Sequence, residues 1–272
     1  MFATRGWLFG SVLAILTALV IVGGIKSIAR VTSKLVPFMA LLYVSTALVV
    51  IGANVAELPG ALVTIVREAF SPEGVTGGMF AVLILGFRRA AFSNEAGIGS
   101  AAIAHSAVRT KEPLTQGFVA MLEPFIDTVV ICTITALVIT LTVYDPALLN
   151  DGVISGVELT SSAFASVIPW FPYVLAVVVI LFAYSTMIAW SYYGLEGFIY
   201  IFGPKRWAKV TFNSIFCLFV IIGCTMELDT VLDFSDAMIF AMALANVLGL
   251  YLLVPVVKRD LDVYWARKCS NP

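Results

Sequence analysis

Residues 88–105 read RRAAFSNEAGIGSAAIAH. They set two arginines, a Ser-Asn-Glu triplet and two glycines inside a chain that is otherwise mostly apolar. On one side stands MFAVLILGFRRAAF (79–92), on the other SAAIAHSAV (100–108). At 1.5 Å per residue these supply about 21 Å and about 13 Å of helix, enough together to cross a hydrocarbon core of about 30 Å. The joint between them is SNEAGIG, 93–99. Gly97 and Gly99 are poor helix interiors and good places for positive φ, and Ser93 and Asn94 bond readily to nearby backbone. The pattern therefore predicts two half-helices that meet inside a membrane.

Unwound backbone at that depth survives only beside protein or water, because lipid offers no hydrogen bonds. Freed N–H groups and a half-helix N-terminus suit a carboxylate, freed carbonyls suit sodium, and many secondary transporters hold their substrates in this way. For Gly97 or Gly99 alone, a kink packed on a neighbouring helix is an equal alternative. With Ser93, Asn94 and Glu95 adjoining, a binding site is the favoured reading.

Working outward, composition fixes the environment. Of 272 residues 61% are hydrophobic and 12% charged, with a mean hydropathy of +1.02, whereas a soluble domain is about half apolar and a quarter charged. Seven apolar stretches are candidate spans: 7–25, 36–56, 79–108, 115–143, 169–201, 210–226 and 235–257. The third is broken and the fifth overlong, so both are expected to tilt or unwind. Basic connections (Lys26, Arg30, Lys34; Arg109, Lys111; Lys205, Arg206, Lys209; Lys258, Arg259, Arg267, Lys268) alternate with acidic ones (Glu57, Glu68, Glu73; Asp145, Asp151, Glu158; Glu227, Asp229, Asp233, Asp236). By the positive-inside rule the chain starts outside and ends inside. An odd number of spans with an external start is expected of a chain that lacks its beginning. The sequence has no CxxC pair, HExxH or glycine loop ending in GK[ST], so metal hydrolysis and nucleotide-driven transport have no support. The four scattered cysteines read as buried packing residues.

Other polar groups fall inside spans. Arg88 and Arg89 lie about 14 Å along their half-helix, and Glu123 and Asp127 lie about 12–18 Å along the next span. A cross-helix ion pair between the two sets is expected near the midplane, with a structural role ahead of proton coupling. In AYSTMIAWSYYG (183–194), Ser185 and Thr186 offer hydroxyls suited to a hard cation. Trp190, one turn after Thr186, is placed to wall a small pocket, although helix glue and interface anchoring explain the same residues. His105 reads as a satisfied histidine near the inner interface, and the segments around TSK and RTKEP read as solvated inner loops. An enzyme built on Glu123, Asp127 and His105 lacks a nucleophile grouped with them, so no enzymatic activity is expected.

Three segments carry a family likeness: GFRRAAFSNEAGIGSAAIAHSA, EPFIDTVVICTITALVI and FAYSTMIAWSYYG. Together they resemble the alanine or glycine:cation symporter family, through nearly the whole chain. The resemblance implies an all-α transmembrane protein of the LeuT-like, five-plus-five inverted-repeat fold, in a bacterial cytoplasmic (inner) membrane, with sodium-coupled uptake of alanine or glycine. Residues 1–56 then correspond to the last two spans of the first repeat, 57–78 to an external loop, 79–257 to the five-span second repeat and 258–272 to a cytoplasmic tail. It implies a substrate pocket around Asn94, Gly97, Ile98, Gly99, Thr186 and Trp190, and sodium near Ser185 and Thr186. The expected partners are the small neutral amino acid, sodium and the lipid bilayer, with no nucleic acid. The family's first broken helix has no counterpart here. A truncated form inactive alone is therefore expected, or a half-protein that assembles with a separately supplied N-terminal half.

Overall fold

The computed structural model describes residues 2–69, 79–144 and 156–270. Every regular element among them is helical. Glu73, Asp145 and Asp151, counted among the acidic connections, lie outside the described residues.

The chain opens with α1 (Phe2–Ile21) and α2 (Gly24–Ala53), separated by a break where Gly24 takes φ +66°. The basic segment with Lys26, Arg30 and Lys34, expected as a solvated loop, is instead the first turns of α2. Its residues are ordinary helix formers, and the adjacent Gly23–Gly24 pair supplies the stop. A short 3₁₀ turn, Val55–Glu57, leads into α3 (Leu58–Ala69), which falls within 57–78. The third candidate span is divided as the sequence predicts, into α4 (Met79–Ser93) and α5 (Ser100–Ser106). Then follow the membrane-length stretch α6 (Pro113–Thr142), α7 (Val157–Ala165), α8 (Phe171–Phe202), α9 (Arg206–Gly223) and α10 (Leu228–Ser270).

Five of these helices, α2, α6, α8, α9 and α10, are long and apolar enough to cross a membrane, and α1 contributes a shorter apolar run. The overlong fifth candidate does not unwind: α8 is one unbroken helix of 32 residues. The last helix is longer than its apolar run. It begins at Leu228, so Asp229, Asp233 and Asp236 are helical rather than in a connection, and it carries the basic tail as helix through Ser270.

At the centre α8 packs on α1, α2, α5, α7 and α9. One core joins Tyr43, Ala47 and Val50 of α2 with Val138, Phe164 and Phe171. The Tyr43 hydroxyl lies 2.6 Å from Thr135 Oγ1, and Thr135 itself donates to the Ile131 carbonyl at 2.9 Å. Tyr43 is therefore the donor, and the threonine acts as glue between two helices. The cysteines are free; Cys217 and Cys224 are half-buried, whereas Cys132 and Cys269 are exposed rather than buried as expected.

α1 and α9 approach each other closely. Gly6 and Gly10 are one turn apart on α1, and a Cβ at Gly6 would stand 2.7 Å from the Cys224 carbonyl oxygen, one at Gly10 3.0 Å from Ile221 Cα. Small residues four apart allow this backbone-to-backbone contact. Gly10→Val is expected to separate the two helices at a cost of about 1–3 kcal/mol. Thermal unfolding of the protein in detergent should register this as a lower midpoint; an unchanged midpoint would contradict the close packing.

Candidate functional site

The helix α4 ends on a last bond from the Asn94 N–H to the Ala90 carbonyl, 3.0 Å. The Asn94 side-chain oxygen then accepts from the Ala96 N–H at 3.0 Å, a local turn that competes with further helix. Three residues in the next five are left-handed: Glu95 at φ +55°, Gly97 at +83° and Gly99 at +101°. Glycine enters this region freely. Glu95 does so against a cost of about 1–2 kcal/mol, offset by a hydrogen bond in which the Trp190 Nε1–H donates to its Oε1 at 2.8 Å.

Three neighbouring helices hold the joint open. From α8 comes Trp190. From α10, Asn246 donates through Nδ2 to the Gly97 carbonyl at 2.8 Å, and a Cβ on Gly99 would stand 3.3 Å from the same side chain. From α6, Asp127 accepts from the Ser93 hydroxyl at 2.7 and 2.8 Å, and Thr128 Oγ1 accepts from Asn94 Nδ2 at 3.0 Å. This part of α6, Phe125–Cys132, is π-helical. Pro124 precedes it and has no N–H to give the i−4 carbonyl, so the register of the ladder is released there. The widened turn presents Asp127 and Thr128 to the joint.

Two cavities flank Trp190. One, of about 310 Å³, is the more polar of the two, with Glu95, Glu123, Ser185, Thr186, Trp190 and Tyr193 in a lining that also includes Ile25, Ile28 and Val36. The other, of about 320 Å³, is apolar and lined by Phe92, Thr186, Trp190, Phe234, Met238 and Met242. Thr186 and Trp190 are common to both and form the partition between them. Volumes near 300 Å³ stand at the small end of ligand pockets. Ser185 lies at the polar cavity and donates to the Phe182 carbonyl at 2.9 Å, which leaves its oxygen lone pairs available to a cation.

The structure thus brings Thr186, Trp190 and Ser185 to one cavity beside the joint. Asn94 shapes the joint through its two hydrogen bonds. Ile98 is buried, 2% exposed, and of the residues expected at the pocket Asn94, Gly97, Ile98 and Gly99 line neither cavity. The N–H groups of Gly97 and Gly99 find no acceptor among the described residues. Among those residues no group of three or more His, Cys, Asp and Glu side chains is placed to hold a metal ion.

The expected pairing of Arg88 and Arg89 with Glu123 and Asp127 is overturned. One Arg89 guanidinium nitrogen donates to both oxygens of Asp236, at 2.8 and 2.7 Å, and Arg88 stands 3.9 Å from the same carboxylate. Depth is the reason. Ser93 meets Asp127 and His105 lies 2.6 Å from Gln116, so α6 runs antiparallel to the broken helix. Four residues before Ser93, Arg89 is displaced by about 6 Å to the level of apolar Ile131. The acid at its own level is Asp236, which is buried. Glu123 lies beside the joint and 3.7 Å from His105 Nε2, so the histidine is partnered on both ring nitrogens.

Sequence reasoning missed Asn246 and Asp236. Asn246 was legible as a lone amide within the apolar run IFAMALANVLGLYLLV, and the 229, 233, 236 spacing of aspartates is a helical stripe.

A family model described as the sodium:alanine symporter family matches residues 1–271. The chain is 40% identical over 258 residues to the sodium/alanine symporter AgcS of Methanococcus maripaludis, a match covering 94% of this chain and 56% of that protein. It is 36% identical over 255 residues to the amino-acid carrier protein AlsT of Bacillus subtilis, covering 93% and 53% respectively. To the probable sodium/glutamine symporter GlnT of the same organism it is 33% identical over 269 residues, covering 98% and 55%. The chain spans about half the length of the curated relatives it matches.

Because Asp236 is buried and its nearest cation is Arg89, Asp236→Asn is expected to cost about 1.5–3 kcal/mol, the scale of a hydrogen bond to a charged group. A double-mutant cycle with Arg89→Gln, followed by thermal unfolding, checks this. Additive losses would mean that the two side chains do not interact.

Proposed function

The chain belongs to the sodium:alanine symporter family, and from that premise we propose that it acts in sodium-coupled symport of a small neutral amino acid, alanine or glycine, across a bacterial cytoplasmic membrane. The observation that carries this reading is the broken helix opening beside Thr186 and Trp190. Its free Gly97 and Gly99 N–H groups are donors for the substrate carboxylate. The Glu95 carboxylate, already oriented by Trp190, and Glu123 in the same polar cavity give that cavity a negative character suited to a cation and to the substrate ammonium. Ser185 and Thr186 supply hydroxyl oxygens on the sodium side. Sodium binding first reduces the repulsion between the two carboxylates and prepares the cavity for the zwitterion.

Substrate size follows from the partition. Trp190 walls the cavity beside the joint, and its indole is the surface against which a substrate side chain longer than a methyl group would stop. The relative named for alanine supports the same choice over the one named for glutamine. In this proposal 79–257 forms a five-span repeat of an inverted-repeat, LeuT-like transporter, 7–25 and 36–56 belong to its partner repeat, and the basic end of the bundle faces the cytoplasm. Alternating access then requires that the occupied site favour closure, because a ligand shifts conformations only by its differential affinity for them.

Uptake of labelled alanine into cells expressing the chain together with the part of a family relative that it does not cover tests this. Uptake is expected to depend on a sodium gradient, to be competed by glycine and not by glutamine, and to fall at least about tenfold in Trp190→Ala, equivalent to about 1.4 kcal/mol of lost stabilisation. Sodium-independent uptake, or a Trp190→Ala variant with unchanged rate and substrate range, would contradict the proposal.

A further inference from the structure

Away from the joint, a groove of about 620 Å³ runs between the end of α1, the start of α9 and α8. Its α9 wall is graded in polarity. Arg206 and Lys209 stand at the rim, Asn213 and Ser214 one turn deeper, and Cys217 a turn deeper again, steps of about 6 Å each. The facing wall is apolar, with Ala18 and Ile21 from α1, Val22 just past its end and Leu195 from α8. Its deep end rests on the core of Ile21, Ile28 and Ile188, against which Cys217 packs.

Two features of the groove ask for a partner. Among the described residues no carboxylate lines it, and neither Arg206 nor Lys209 is in an ion pair. Among the same residues the Asn213 amide and the Ser214 hydroxyl make no hydrogen bond. Donors of that kind at the edge of hydrocarbon are costly unless something accepts from them. The order from rim to floor is cation, neutral donor, apolar surface. A glycerophospholipid carries the complementary order over the same length: phosphate, ester carbonyls, acyl chain.

We propose that this groove binds an anionic phospholipid. The phosphate sits on Arg206 and Lys209, the ester carbonyls accept from Asn213 and Ser214, and one acyl chain lies along α1 to Cys217. Basic pockets between membrane helices recognise anionic headgroups through the same electrostatics. A free phosphate would use the rim alone and leave the Asn213 and Ser214 donors unmet. The site is separate from the joint and does not depend on the transport reading.

Native mass spectrometry of the purified chain, with phosphatidylglycerol or phosphatidylcholine of identical acyl chains added back, tests the assignment. One phosphatidylglycerol is expected to be retained with a preference of at least about tenfold, the scale expected of two cations at a headgroup. Arg206→Gln with Lys209→Gln should abolish the preference. Val210→Trp, which keeps both cations and fills the groove beside them, should abolish retention. Equal retention of both lipids, displacement by inorganic phosphate, or retention that survives both changes would overturn the proposal. A diazirine on the acyl chain should label 18–22 or 210–217; labelling confined to other helices would overturn it as well.

Discussion

A peptide group inside a bilayer has no water to bond, so every residue that leaves the helix there must be met by another part of the protein. Residues 94–99 of this chain leave it, and the remainder of the architecture follows from how they are met. The Gly97 carbonyl takes the Asn246 amide, Ala96 N–H takes the Asn94 side chain, and Glu95 takes the Trp190 indole. Each contact comes from a different place in the chain, and two of them span most of the sequence between the joint and the last helix. The joint is therefore a tertiary structure, and α8 and α10 are positioned by it as much as they position it.

The satisfaction is incomplete, and the incompleteness is where chemistry becomes available. Among the described residues the Gly97 and Gly99 N–H groups have no acceptor, while Glu95 and Glu123 look into one small cavity. Two carboxylates facing such a space suit a cation, whereas Gly97 and Gly99 line neither cavity and their N–H groups stand in the joint beside it. Trp190 closes that space on one side and, through its N–H, fixes the strained Glu95. A single side chain thus couples pocket size to backbone conformation. The π-helical turn of α6 acts in the same direction by delivering Asp127 and Thr128 to the start of the break.

Much of this was legible in the sequence. Two glycines beside a Ser-Asn pair, between apolar segments each too short to span alone, specify a broken helix because only local backbone chemistry is needed to read it. Thr186 and Trp190 were legible as one face by their spacing. Partners were not. The arginines at 88 and 89 find Asp236 because depth in an antiparallel pair depends on a register that counting from span ends does not fix, and a shift of four residues, about 6 Å, exchanges one acid for another. Asp236 was hidden among residues that looked like a connection, since a helix that continues past its apolar run gives no compositional signal of where it starts. Glu95 stood in plain view, but its left-handed backbone and its bond to Trp190 are long-range facts.

The central claim is that the backbone turns left-handed between Glu95 and Gly99 while embedded in lipid. Solid-state NMR of the protein in bilayers, with ¹³C and ¹⁵N labels at Glu95, Gly97 and Gly99, reads those torsions directly. Non-helical shifts with positive φ are expected at all three residues, between helical shifts at Ala91 and Ala102. Uniformly helical shifts from Ala91 through Ala102 would contradict it.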